Sequence, residues 1–241
     1  MTVGELGAGA WFAAAAAAAA SGAPPAVPLL LGAGGVAWVS VGASQPQSRL
    51  FGAARCHVRE GIALTIDDGP HPRTTPRYLE ALARANARAT FFFLSDRAAR
   101  EPALVREVLA AGHEIGVHGL THSARLTWVL PGEGARWLRE SASALEALGV
   151  PKPRWFRPPF GAVSPLLYRS AALAGLEVAW VSVRTGDGVA IPAERLERRL
   201  RSARPRDIVL LHDGNDLSAE MLPKALEWWS GTRVGTLSEL A

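Results

Sequence analysis

Four residues have the types and spacing that a metal-dependent hydrolase needs. Asp67 and Asp68 are adjacent carboxylates, and His118 and His122 are four positions apart, which on a helical or tight turn places both imidazoles on one side. Two histidines and one carboxylate form a three-ligand site for a divalent cation with one position open for water. The second carboxylate is then free to accept the proton of that water. Taken separately, the pairs have simpler explanations, namely surface histidines and an Asp-Asp-Gly-Pro turn.

These residues follow short apolar runs that are typical of strands. The predicted strands are Ile62–Ile66, Thr90–Leu94, Glu114–Val117, Trp155–Arg157, Val178–Val183, Ile208–Leu211 and Arg233–Gly235. Amphipathic stretches between them predict helices near Thr75–Ala85, Pro102–Ala111, Gly134–Leu148, Pro165–Ala174, Ala193–Ser202 and Ala219–Trp229.

Regular alternation of strand and helix predicts an α/β domain with a mostly parallel sheet and helices outside it. The seven units favour a distorted (β/α)7-8 barrel over an open sheet. In barrels the chemistry lies at the C-terminal ends of the strands. We therefore expect one mouth to gather the polar residues at those ends, which are Asp67, Asp68, His118, His122, Arg157, Asp187 and His212.

Composition divides the chain of 241 residues into three segments. Residues 1–48 form an apolar leader, 49–60 a connector, and 61–241 the barrel. All 26 basic residues and 21 of the 22 acidic residues lie in 49–241, which gives that segment a net charge of +5. This small, dispersed excess gives no reason to expect a nucleic-acid partner, although it suits an anionic envelope surface. The single cysteine, Cys56, excludes an internal disulfide.

The leader predicts membrane association through residues 7–43. It carries no charge from Leu6 to Ser48, and Pro24, Pro25 and Pro28 divide it into two apolar halves. Each half is close to the lower length limit for a membrane span. A hairpin of two short spans, one interrupted span, a signal-like leader without the usual basic start, and a disordered Ala-rich terminus are all compatible with this pattern.

Four sequence motifs, taken in order, resemble the NodB-type polysaccharide deacetylases (carbohydrate esterase family 4). They are TIDDGP at 65–70, HGLTH at 118–122, RPPFG at 157–161 and IVLLHD at 208–213, and ARATFFFL at 87–94 resembles the second strand of the family. The similarity extends over about residues 57–241. It implies a distorted barrel, a divalent metal, and hydrolysis of an N-acetyl or O-acetyl group on a sugar or glycan.

The resemblance also implies a role for each site residue. Asp68, His118 and His122 match the metal ligands, with zinc expected and cobalt or another divalent ion as alternatives. Asp67 matches the general base, and Arg157 matches the residue that holds this base. His212 matches the general acid, and Asp187 matches the carboxylate beside it. The backbone N–H of Phe160 would contribute to the oxyanion hole.

Three positions depart from the family pattern. Gly119 replaces the usual Ser or Thr after the first metal histidine, which would remove a hydroxyl that braces the loop. In RTGDG at 184–188, Arg184 replaces an Asp and Gly188 replaces a Trp that would form one wall of the sugar groove. Because a cation beside His212 would lower its pKa, we expect Arg184 to point away from the site, or to pair with an acid or with an anionic part of the substrate.

Other readings of function stay open at this stage. They are a deacylase or deformylase of a lipid-linked sugar, a metal-dependent amidohydrolase of small molecules, and a non-catalytic glycan-binding module on the same barrel. The expected partner is an acetylated glycan or glycolipid. The arginines at 49, 55 and 59 favour a cytoplasmic location for the barrel. A cell-wall glycan as substrate requires an extracytoplasmic location, and this is the location that we expect.

The remaining conspicuous side chains predict structural roles. His57 is expected on the surface, and the other residues in this group are expected to pack in or against the domain, namely His71, His113, Trp228 and Trp229. Trp128 could either line the groove or cover the barrel.

Overall fold

The computed structural model describes residues 3–44 and 52–241 of the chain. The strands are β1 Ala54–Arg55, β2 Ile62–Gly69, β3 Thr90–Leu94, β4 Glu114–Gly119, β5 Trp155–Phe156, β6 Glu177–Ala179, β7 Val183–Arg184, β8 Ile208–His212 and β9 Val234–Gly235. The helices are α1 Val3–Ala20, α2 Ala26–Ser44, α3 Thr75–Arg84, α4 Ser95–Arg100, α5 Pro102–Ala110, α6 Pro131–Glu146, α7 Pro165–Ala174, α8 Ala193–Arg201, α9 Asp216–Trp228 and α10 Leu237–Leu240.

The sheet is a curled, parallel half-barrel of eight strands with helices packed against it. Its strand order is β1-β6-β5-β4-β3-β2-β8-β7, and β9 pairs with the start of β2. Every strand pair is parallel. The predicted parallel sheet is thus confirmed, but within the described residues it has β1 and β7 as edges and does not close into a complete barrel.

The predicted strand Val178–Val183 is wrong as a single element. It forms β6, which lies next to the edge strand β1, and β7, which is the edge strand at the opposite end of the sheet. Between them the backbone crosses the gap in the barrel, where the Trp180 N–H donates to the Arg55 carbonyl (2.8 Å) and the Ser182 N–H donates to the Ile208 carbonyl (3.1 Å). A continuous apolar run has no periodicity that could reveal this crossing.

Three short elements were not predicted from the sequence. Strand β1 lies within the predicted connector 49–60 and pairs with β6. Helices α4 and α10 are only 6 and 4 residues long. Such short elements carry too little periodic signal to be recognised in a sequence.

The core lies between the sheet and its helices, and it fixes the central strands. Phe91, Phe92 and Phe93 of β3 are all completely buried. Three consecutive buried side chains require cover on both faces of the sheet, as is usual for a parallel sheet. A rigid central sheet of this kind holds the polar residues at its C-terminal edge in fixed positions.

The described part of the leader, residues 3–44, forms α1 and α2, which pack against each other around a turn at Pro24 and Pro25. Several of its large apolar side chains are exposed, among them Leu29 (72%) and Leu30 (71%). Within the described ranges, no helix combines the length and the apolar character needed to cross a membrane. Arg49 of the predicted arginine cluster lies outside the described residues.

Candidate active site

A bulge at the end of β2 directs two consecutive carboxylates into one cavity. Asp67 pairs with Phe92 and Gly69 with Phe93, so that Asp68 is an extra residue on this strand, and its φ of 69° is in the left-handed region. In a regular strand, successive side chains point to opposite faces. The bulge removes this alternation, and both Asp67 and Asp68 line the cavity.

Arg157 follows β5 and forms a buried ion pair with Asp67. One Nη1–H donates to Asp67 Oδ1 (2.8 Å) and Nη1 also lies 2.7 Å from Thr65 Oγ1, while Nη2 donates to the Trp180 carbonyl (3.0 Å). Asp67 and Arg157 are each only 3% exposed. With this many fixed acceptors, the guanidinium holds the Asp67 carboxylate in a single orientation.

The three residues predicted as metal ligands lie together beside this pair. The Nε2 atoms of His118 and His122 are each 3.2 Å from Asp68 Oδ1, and the three candidate ligand atoms lie within 4.8 Å of one another. Asp68 Oδ1 is buried and has no hydrogen-bond donor by the usual geometric criteria. A carboxylate oxygen and two imidazole nitrogens directed at one point fit a divalent cation.

The contact of the His118 Nδ1 atom determines which ring nitrogen of His118 carries the proton. Nδ1 lies 2.8 Å from the Arg157 carbonyl oxygen. Because a carbonyl can only accept, Nδ1 carries the proton, and Nε2 is left with a lone pair that faces Asp68. Burial raises the pKa of Asp68. When His118 is protonated at both nitrogens, its hydrogen bond and charge, together with the charges of His122 and His212, outweigh burial and lower this pKa to about 2.

Gly119 has a conformational reason to be glycine. His118 is the extra residue where β4 slips against β3, and Gly119 directly after it has φ 110°. A β-carbon there would also lie 3.3 Å from the Thr121 carbonyl oxygen. Glycine adopts this backbone without strain, and the turn brings His122 back toward His118.

His212 ends β8 and stands level with Asp67, its partner in the strand register. Its Nδ1 lies 2.8 Å from Asp187 Oδ1, and Asp187 is 2% exposed. Asp187 also accepts hydrogen bonds from Thr185 Oγ1 and Ser218 Oγ, both at 2.6 Å. Burial lowers the pKa of His212, but the hydrogen bond and charge of Asp187, with the charges of Asp67 and Asp68, raise it to about 8.

These side chains share a cavity of about 450 Å³. All the predicted site residues line it except Asp187, which lies behind His212. Phe160 has φ 59° and is 68% exposed, and its ring centroid is 4.1 Å from that of His122. The cavity walls therefore combine acid–base groups with apolar and aromatic surface, as a sugar site requires.

Trp180 was missed as a site residue, although it lines the cavity. Its position inside the apolar run gave it the character of a core residue. The family Trp is indeed absent at Gly188, where a β-carbon would lie 3.1 Å from His212 Cε1. Gly188 therefore places no side chain against the imidazole, and Trp180 provides an aromatic wall from a different strand end.

Of the alternatives expected for Arg184, a side chain that points away from the site is wrong, because Arg184 also lines the cavity. Pairing with an anionic part of the substrate stays a prediction. Two further residues brace the site without having been predicted. Arg97 Nη1 donates to the Asp68 carbonyl at the bulge (2.6 Å). Asp213 binds Thr74 and Thr75 and faces away from the cavity, and burial raises its pKa despite these bonds.

The structure agrees with the structural roles predicted for the other residues. His57 is on the surface near Asp207, and His113 is a buried acceptor for the Ala89 N–H, with a pKa lowered to about 4 by burial and then by Arg88. Trp229 is buried against α8, and the guanidinium of Arg201 lies over the ring of Trp228. His71 contacts Thr74. Trp128 is 79% exposed and lies outside the cavity lining.

Comparison with known proteins places this site in a family. The protein-family model with the description polysaccharide deacetylase matches residues 54–179 of the chain. The chain is 35% identical over 199 residues to a peptidoglycan-N-acetylglucosamine deacetylase of Bacillus cereus, covering 74% of this chain and 87% of that protein. It is 36% identical over 155 residues to a chitooligosaccharide deacetylase of Bradyrhizobium sp., covering 64% and 70%.

Solved structures agree with this placement. The peptidoglycan deacetylase PdaC from Bacillus subtilis superposes with a TM-score of 0.69 at 27% identity, covering 75% of this chain and 89% of that one. The chain therefore belongs to the polysaccharide deacetylase family. It is an enzyme of carbohydrate metabolism, a hydrolase that removes acetyl groups from sugars or glycans.

Proposed function

We propose that the chain removes N-acetyl groups from acetamido sugars of a cell-wall glycan. The observation that carries this proposal is the arrangement of two polarised pairs, Asp67 with Arg157 and His212 with Asp187, on neighbouring strand ends beside the Asp68, His118 and His122 cluster. The relatives named for peptidoglycan N-acetylglucosamine and chitooligosaccharide favour substrates of this class.

Asp68, His118 and His122 would hold one divalent ion, and we propose zinc. Two imidazoles, one carboxylate and an open position match catalytic zinc sites, although cobalt accepts the same ligands. The bound ion supplies a Lewis acid that polarises the acetyl carbonyl and makes water a better nucleophile at neutral pH. The remaining steps belong to side chains of the protein.

Asp67 accepts the proton of the attacking water, and Arg157 keeps its carboxylate aimed at the cavity. The new C–O bond forms on the acetyl carbon, and the backbone N–H of Phe160 would donate to the oxygen that becomes negative. His212 then donates its proton to the sugar nitrogen as the C–N bond breaks. Acetate and a free amino sugar leave.

The His212–Asp187 pair favours an amide substrate over an ester. An amine is a poor leaving group unless it is protonated, so an amidase needs an acid that still holds its proton near neutral pH. A His212 pKa of about 8 meets this requirement. The reading as a non-catalytic module would expect a lost base or metal ligand, and this site retains all of them.

A substrate panel tests the proposal. Purified, metal-loaded protein is incubated with chitin oligomers, peptidoglycan and acetylated xylan, and acetate is assayed together with the mass of the product. We expect acetate and a free amine from the first two substrates. Acetate release from acetylated xylan alone would show that the enzyme removes O-acetyl groups and not N-acetyl groups.

The pH profile of Asp187→Asn tests the role given to His212. Activity of the wild type should fall as pH rises through about 8, because His212 then loses the proton it donates. The substitution removes the negative charge at 2.8 Å that raises this pKa. The alkaline limb of kcat/KM should therefore move to lower pH, and kcat should fall.

Asp216→Asn is the matched control for this profile. Asp216 is a half-exposed carboxylate paired with Arg73 and Arg77, at the start of the helix that follows His212. Asp216→Asn should leave the alkaline limb of the pH profile at the wild-type pH. Wild-type and Asp187→Asn profiles that superimpose would mean that another group sets the pKa of His212.

We also propose that residues 7–43 hold the enzyme at a membrane, with the catalytic domain on the extracytoplasmic side. The support is the exposed apolar surface of the α1–α2 hairpin, which carries no charge from Leu6 onward. An anchored enzyme would stay close to an envelope glycan. The same surface favours a lipid-linked acetamido sugar as the second candidate substrate.

Deleting residues 1–48 tests the anchor. The truncated protein should move from the membrane to the soluble fraction and keep its activity on soluble chitin oligomers. The double substitution Leu29→Asn and Leu30→Asn should act in the same direction, since both side chains are more than two-thirds exposed. Leu173→Asn, exposed on α7, is the matched control and should change nothing. Full-length protein that is soluble without detergent would contradict the anchor.

A further inference from the structure

Arg184 provides a cation at the wall of the catalytic cavity, and it has no acidic partner in the part of the chain that the structure describes. Its Cζ lies 4.8 Å from the centroid of the Trp180 ring, and Nη2 lies close enough to Gly161 that a β-carbon there would be 3.0 Å away. Among residues 3–44 and 52–241, no carboxylate lies within ion-pair distance of it. Some surface arginines do have such partners, for example Arg154 with Glu177 and Arg233 with Glu60.

The carboxylates in the cavity do not require this charge. Asp67 is already paired with Arg157, and Asp68 lies against His118 and His122. Asp187 is buried behind His212. The Arg184 charge is therefore available to something that enters the cavity.

The position of the Arg184 guanidinium over the Trp180 ring favours an anionic ligand with two adjacent oxygens. A guanidinium held over an aromatic ring keeps its plane fixed while its N–H groups stay free at the edge. This fork matches the two oxygens of a carboxylate or a phosphate. The cavity that it faces is the one we assign to the acetamido sugar.

We infer that Arg184 binds an anionic oxygen group on the glycan substrate, namely a carboxylate on a sugar adjoining the N-acetyl group that is removed. The inference rests on the proposed function and deepens it, because it selects acidic over neutral acetamido glycans. A glycan that alternates a neutral acetamido sugar with a carboxylate-bearing one, as peptidoglycan strands without stem peptides do, presents such a group. Arg184 is then a specificity-determining residue and takes no part in the acid–base chemistry.

The test compares two substrates that differ only in the charge of their lactyl groups. A peptide-free peptidoglycan tetrasaccharide with free lactyl carboxylates is set against its methyl ester, and the ratio of kcat/KM for the acid over the ester is measured on full-length, metal-loaded enzyme. The wild-type ratio should be about fivefold at low salt, the scale of a partly exposed ion pair. It should fall as ionic strength rises.

Variants at Arg184 identify the group responsible. Arg184→Gln should bring the ratio close to one, and Arg184→Lys should keep part of it, because the charge remains without the fork. Arg198→Gln, an exposed arginine on α8, is the matched control and should keep the wild-type ratio. A wild-type ratio of one, or a full preference retained by Arg184→Gln, would overturn the inference.

Two further arms separate the alternatives. The same sugar carrying a phosphate monoester in place of the carboxylate is a third substrate, and a larger preference for the phosphate would overturn the assignment to a carboxylate. If wild-type enzyme releases no acetate from any substrate, the proposed function fails. Equilibrium binding of acid and ester then decides on Arg184 by itself: a preference lost in Arg184→Gln upholds its role, and equal binding rejects it.

Discussion

His118→Ala should lose both the bound metal and the activity. The substitution removes one of three ligands and the imidazole whose Nδ1–H is held by the Arg157 carbonyl. Loss of an outer-shell partner alone weakens metal binding by about 10–100-fold, so loss of a ligand should exceed that. Metal content after dialysis, measured by elemental analysis, and acetate release are the two readouts.

His57→Ala is the matched control for this variant, since His57 is exposed at the surface near Asp207. It should keep both metal and activity. A His118→Ala protein with full metal occupancy and full activity would show that His118 is not a metal ligand and that the metal site has been assigned wrongly. A folded, metal-free and inactive His118→Ala protein, shown by an unchanged circular dichroism spectrum, would support it.

Asp67→Asn should keep the metal and lose about 10²–10⁴-fold in kcat, the usual scale for a lost general base. The side chain is nearly isosteric, but an amide cannot accept the proton. Arg157 loses the charge of its partner, although it keeps contacts to Thr65 and to the Trp180 carbonyl. The variant should therefore be less stable but folded at room temperature.

Asp67→Glu gives an independent variant if Asp67→Asn does not fold. It retains the charge that pairs with Arg157 and displaces the carboxylate, so kcat should again fall while metal content stays constant. Loss of metal in either variant would mean that Asp67 and Asp68 have been given each other's roles. Unchanged kcat in both would require a different base.

The positions of the site residues could be predicted from the sequence because the C-terminal ends of the strands in a parallel sheet lie at the same edge. His212 and Asp67 stand level in the register of β8 and β2, and Arg157 follows β5. The periodic strands and helices were therefore predicted close to their observed bounds. Their motif spacing also indicated which residues would meet.

Features that depend on local backbone geometry could not be predicted in this way. Consecutive carboxylates should alternate across a strand, and only the bulge at Asp68 directs both to one side. The run from 178 to 183 contains the crossing from β6 to the edge strand β7, and this crossing places Trp180 at the cavity wall. Gly119 suggested a lost hydroxyl, whereas its φ of 110° explains the glycine.

The central claim is that this site cleaves an N-acetyl bond, and the paired yield of acetate and free amine tests it most directly. Metal-loaded wild-type protein acting on an N-acetylglucosamine oligomer should release both in equal amounts, and removing the metal should stop both. Acetate without amine, or neither product from any acetamido glycan with the metal site fully occupied, would contradict the account.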